Sequence, residues 1–121
     1  MSDNISNFYQ QSSEVRYQLT VAAIRRTGML WTLKDEQGCI MVASDEESCL
    51  PIFPDEAIAQ AWATEEHAHC EPLAIDIAAF LGRWVPGMTQ DGYHLAVGPS
   101  LDAESLVEHP EDFAEILNQR K

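Results

Sequence analysis

The chain has 121 residues and a mass of 13.5 kDa, the size of one domain that can hold a core without a disulfide or a metal. Its 45% hydrophobic and 22% charged residues argue against a wholly disordered chain. Its net charge of −13, from 20 acidic and 7 basic side chains, argues against direct nucleic-acid binding and against a membrane surface, because both need clustered cations.

Residues 1–12 are polar apart from Phe8 and Tyr9 and read as a flexible tail ahead of a single domain over 13–121. Ser12 or Ser13 can cap a first helix over about 13–27, with Glu14 in its first turn, Arg25 and Arg26 in its last, and Gly28 as its stop. Val15, Leu19, Ala22 and Ala23 follow helical spacing and form the expected apolar stripe. Three short runs come next, Met29–Lys34, Cys39–Ala43 and Cys49–Phe53, separated by Asp35-Glu36-Gln37-Gly38 and Asp45-Glu46-Glu47-Ser48. They read as an antiparallel meander. Pro51 lacks an N–H, so the third run is either an edge strand or turns that nitrogen outward.

Asp55 is the expected cap of a second helix ending near Thr64, with Ile58, Ala61 and Trp62 in its stripe. Leu73–Ile75 reads as a strand, and Asp76 as the cap of a third helix that Pro86-Gly87 stops. Tyr93–Val97 is another strand, and Leu106-Val107 a short one. Pro110 opens a closing helix with Glu111 and Asp112 in its first turn. The predicted fold is α+β, a mixed or antiparallel sheet of four to five strands with helices packed around it.

The order Trp31, Gly38, Leu50-Pro51-Ile52-Phe53-Pro54, Ala61-Trp62, Phe80-Leu81, Trp84-Val85-Pro86-Gly87-Met88 and Asp91-Gly92 resembles a family of small bacterial proteins known as domain of unknown function number twenty-seven fifty. It is also loosely similar to the N-terminal part of enhanced-serine-sensitivity proteins. The resemblance covers about residues 15–100, and Trp84–Met88 is its most specific piece. It implies a compact α+β fold and carries no catalytic set.

Charge is strongly segregated. Residues 1–34 are net +2, residues 35–119 hold eighteen acids and the single base Arg83, and Arg120 and Lys121 close the chain. An acidic face with Asp45, Glu46 and Glu47 at its turn is the expected contact for a basic protein surface, since opposite potentials steer association. Arg83, placed in the last turn of the third helix, is expected to complement the helix dipole and pair with a carboxylate; contact with a partner is its alternative role.

His67 and His69 would face the same way on an extended segment, as two metal ligands must, while Cys70 would face away. That makes a small enzyme or metal protein the alternative to a noncatalytic binding or regulatory module. The acidic turn lacks the order of a calcium loop, and there is no nucleophile elbow, phosphate-binding loop or dinucleotide fingerprint. Cys39, Cys49 or Cys70 could be matched with His94, but cysteines more often serve as small buried hydrophobes. No cofactor is expected. Three cysteines without framework spacing, no apolar leader and no long apolar run predict a cytosolic protein with reduced thiols. A homodimer through the third strand or the first helix is a further expectation.

Overall fold

The computed structural model describes residues 7–36, 38–44, 47–63, 68–100 and 106–118. Helix α1 spans Ser13–Thr27, with the Ser12 hydroxyl accepting from the Val15 N–H at 3.2 Å and Gly28 closing the C-terminus. Strands β1 (Met29–Asp35), β2 (Gly38–Cys39), β3 (Val42–Ser44) and β4 (Glu47–Ile52) follow, then α2 (Glu56–Trp62) and β5 (Glu71–Asp76). Three helical segments, Ile77–Ala79, Phe80–Trp84 and Val85–Asp91, run on as one helix, α3. Strands β6 (His94–Val97) and β7 (Leu106–Glu108) and helix α4 (Pro110–Asn118) complete the order. The fold is α+β, as the pattern predicts.

The strands divide between two small sheets. One is antiparallel in the order β2-β1-β5; the other runs β3-β4-β6-β7, with β4 and β6 parallel. The predicted second strand is therefore split. Its start pairs with β1, its end pairs with β4, and the chain changes sheets at Ile40 and Met41. A two-bond bridge between Trp31 and Phe53 ties the sheets together.

The continuous apolar runs of β4 and β6 belong to strands covered on both faces. Leu50, Ile52, Leu95 and Val97 enter a core beneath α1, α3 and α4, with Ile24, Phe80 and Phe113. Cys49, Phe53 and Ala96 enter a second core on the opposite face, with Phe8, Ile58 and Trp62. Pro51 fits inside β4 because the strand changes neighbours there. Backbone groups alternate sides along a strand. Ile52 accepts from Gly98 on the β6 side, and Phe53 bonds Trp31 on the other. Pro51 shares the Phe53 side, past the last β3 pair at Cys49, where no ladder bond asks for its missing N–H. Strand β4 lies between β3 and β6 and is not an edge strand.

Three further differences have physical causes. First, residues 7–10 form a helical turn packed on the core: Phe8 is buried, and the Tyr9 hydroxyl donates to the Ile58 carbonyl at 2.7 Å. Second, the buried face of α1 is Arg16, Thr20, Ala23 and Ile24, while Leu19 is 42% exposed. Arg16, only 3% exposed, donates through Nε to the Gly98 carbonyl at 2.8 Å and through its terminal nitrogens to the Gln11 carbonyl and the Ser13 hydroxyl. Third, Pro86-Gly87 does not end the third helix. The Val85 N–H reaches back five residues to the Phe80 carbonyl, a π-turn directly before the proline, and such a turn absorbs the lost donor and the ring clash. The helix stops only at Gly92, in the left-handed conformation.

Gly98 has φ +62°, and a Cβ there would stand 2.8 Å from Thr20 Oγ1 and 3.1 Å from the Arg16 carbonyl oxygen. Gly98→Ala is expected to cost about 2–4 kcal/mol in urea denaturation, strain plus clash. Gly92→Ala, with φ +78° and open space around its Cβ, should cost only about 1 kcal/mol. Equal losses would show that the close approach to α1 is unimportant. Arg16→Met should cost about 3 kcal/mol, because it strands buried carbonyls.

Burial pushes the phenols of Tyr9 and Tyr17 up, aided at Tyr9 by Asp55 and at Tyr17 by the 2.7 Å hydrogen bond to Glu108 and its charge. The fold thus prefers the neutral phenols. Their contribution is complete below the unfolded phenol value of about 10 and is lost as pH rises through the folded values. In an ultraviolet alkaline titration these two should ionise late and together with unfolding, and Tyr17→Phe should remove one phenol from that step. Both ionising near pH 10 in a folded chain would refute the assignment.

Candidate binding groove

A solvent-open groove of about 440 Å³ lies between α3 and the Met41 end of β3. Its floor is the buried Leu50. One wall is a stripe of α3, formed by Arg83, Trp84, Gly87, Met88 and Asp91, positions that fall on one helical face. Met41 and Tyr93, two of the exposed large apolar side chains, complete it at 37% and 39% exposure. Met41 faces Leu50 one step beyond the Val42–Cys49 pair, so the point where the chain changes sheets also supplies a groove wall. Size and lining fit a small-ligand or side-chain site, which is typically apolar with a few placed charges.

Arg83 does not have the setting its sequence position suggests. The helix runs eight residues further, to Asp91, so Arg83 is not in its final turn and has no terminal carbonyls to complement. Among the described residues no carboxylate lies within ion-pair distance of it, and none of their cations pairs with Asp91. Asp91 sits at the C-terminal end of α3, where the dipole disfavours an anion. Gly87 is helical, with ordinary φ and nothing within 4 Å of a built Cβ. A helix-interior glycine costs about 1 kcal/mol against alanine, and here neither φ nor packing explains it. Gly82 on the same helix is alike in both respects, but Gly87 lines the groove, between Arg83 and Asp91.

The predicted metal pair is only half visible. His67 lies outside the described residues, as do Asp45 and Glu46; Glu47 opens β4, with its backbone paired to Ser44. His69 is 60% exposed, with Nε2 at 3.7 Å from Asp35 and 3.9 Å from the Cys70 sulfur. Among the described residues no three His, Cys, Asp or Glu side chains are grouped to hold a metal. Nor is this a Cys-His-Asp relay. One nitrogen faces both partners, whereas a relay uses the two ring nitrogens separately. Burial, reinforced by Asp35, pushes the Cys70 thiol up, away from the thiolate that nucleophilic chemistry needs. The structure does bring another suggested pair together: Cys49 is in register with His94, whose ring stands perpendicular to that of His109 at 5.7 Å. Cys49 is fully buried, so a substrate has no path to its sulfur.

The family model described as a protein of unknown function, DUF2750, matches residues 17–117, and the chain belongs to that family. No curated protein and no solved structure matches it. No helix among the described residues is long and apolar enough to cross a membrane. The Trp84–Met88 run that most closely carries the family resemblance is the central part of the α3 wall.

Two stability measurements separate structural from binding roles. Arg83→Ala is expected to leave the unfolding free energy within about 0.5 kcal/mol, because the guanidinium holds nothing together. Gly87→Ala should raise it by about 0.5–1 kcal/mol. A loss above 1 kcal/mol at either position would assign it to the framework.

Proposed function

We propose that the protein is a noncatalytic binding module of the cytosol whose ligand-contacting region is the α3 groove, set in an acidic body that favours a basic partner. The observation that supports this most directly is Gly87. Its missing side chain costs helix stability and serves no turn or packing need, yet it keeps an apolar groove open between a cation and an anion that have no partners among the described residues. The charge distribution supports the sign of the partner: residues 35–119 are net −17, which raises encounter rates with basic surfaces. The acidic turn at Asp45, Glu46 and Glu47 is proposed as part of that face. The alternative, an enzyme or metal protein using His67 and His69, rests among the described residues on a single exposed imidazole with one carboxylate at 3.7 Å. A catalytic zinc takes three protein ligands.

The groove is tested with anilinonaphthalene sulfonate, an aromatic anion that brightens when it leaves water. Saturable one-to-one enhancement is expected with the folded chain, at least tenfold weaker in Gly87→Leu, which fills the groove, and several-fold weaker in Arg83→Ala. No saturable enhancement, or binding indifferent to Gly87→Leu, would refute the groove as a site.

A further inference from the structure

We propose that the groove receives an extended peptide segment of a protein partner, with a basic and an acidic residue four positions apart and an apolar residue midway. The proposal rests on the binding reading above and adds the identity of the occupant.

Charge and length select it. Arg83 and Asp91 are eight residues apart on α3, about 12 Å along the axis at 1.5 Å per residue. An extended chain advances about 3.3 Å per residue, so positions i and i+4 span about 13 Å. Those two positions and i+2 share one face of a strand. A carboxylate at one end then meets Arg83 and a cation at the other meets Asp91. The middle side chain falls over Gly87, where no Cβ stands in its way, onto Leu50, Met88 and Tyr93. Neither charge has an ion-pair partner among the described residues, so the segment completes two pairs without breaking any.

The backbone of such a segment also has a place to go. Strand β3 ends its sheet, with β4 on one side and no strand on the other among the described residues. Its open N–H and C=O groups are a template for an added strand. Met41, the residue just before β3, lines the groove opposite the α3 stripe, so the open edge of β3 begins where the groove does.

The test uses the full chain and capped eight-residue peptides with the same Val-Leu-Val centre. The flanks are Lys then Glu, Glu then Lys, or Ser at both places, and affinity is read by isothermal titration. One charged order should bind at least tenfold tighter than the other and than the Ser-flanked peptide. The double variant R83E/D91K should invert that order preference, which a loss of fold cannot do. N-methylation of the peptide backbone on its β3-facing side should weaken binding at least tenfold. No peptide binding, or equal binding of both orders that the double variant leaves unchanged, would overturn the proposal. Sulfonate binding that Gly87→Leu still abolishes would then show that the groove reading survives without a peptide occupant.

Discussion

A guanidinium moved out of water is costly unless each face of it finds an acceptor, and Arg16 is 3% exposed. Its acceptors include the main-chain carbonyls of Gly98 and Gln11 and the Ser13 hydroxyl, which lie just after β6, just before α1 and in the first turn of α1. The residue therefore acts as a bolt. It fixes the N-terminal turn to α1 and α1 to the end of β6. The Gly98 N–H in turn donates to the Ile52 carbonyl at 2.8 Å, so the same glycine closes the parallel β4–β6 pair at the centre of the molecule. Because Gly98 lies against the Arg16 backbone carbonyl and the Thr20 hydroxyl of α1, it must lack a side chain for the bolt to seat. The N-terminal turn, the first helix and the central strands are thus coupled through one cation.

That coupling orders the rest. With β4 and β6 fixed, each carries alternate side chains into two cores, so the helices on both faces share the same pair of strands as foundation. The Trp31–Phe53 bridge extends the pairing to the second sheet, and the Ile77 N–H donating to the Gly28 carbonyl at 3.0 Å links the end of α1 to the start of α3. The groove depends on this frame at every wall: its floor is on β4, and Met41 is held where the chain passes between sheets.

Much of this was legible in the sequence because the deciding interactions are local. Ser12, Asp55 and Asp76 each accept from the backbone three residues on, as capping residues do, and each marks a helix start correctly. Pro110 with Glu111 and Asp112 marked α4 for the same reason. What failed was set by distant partners. The stripe of α1 was misplaced because apolar spacing cannot show that an arginine is buried when its acceptors are carbonyls up to 82 residues away. The run 39–43 is one unbroken apolar stretch, and only the tertiary pairing divides it between two sheets. Pro-Gly is a stop signal in isolation, but a π-turn five residues long lets α3 pass it.

The last of these failures bears most on function. Had α3 ended at Pro86, Arg83 would complement a helix end, Gly87 would serve as a cap, and Asp91 would sit in a turn; every one of them would have a structural occupation. Continuing the helix through the proline removes all three explanations together and places the residues on one exposed face, a cation and an anion with a bare backbone between them. The π-turn that permits this lies in the same segment that carries Arg83 and Trp84. A helix that stopped at the proline would spare the chain a π-turn, an interior glycine and an aspartate set against the dipole. The three costs have one shared effect, a charged-ended groove beside an open strand edge.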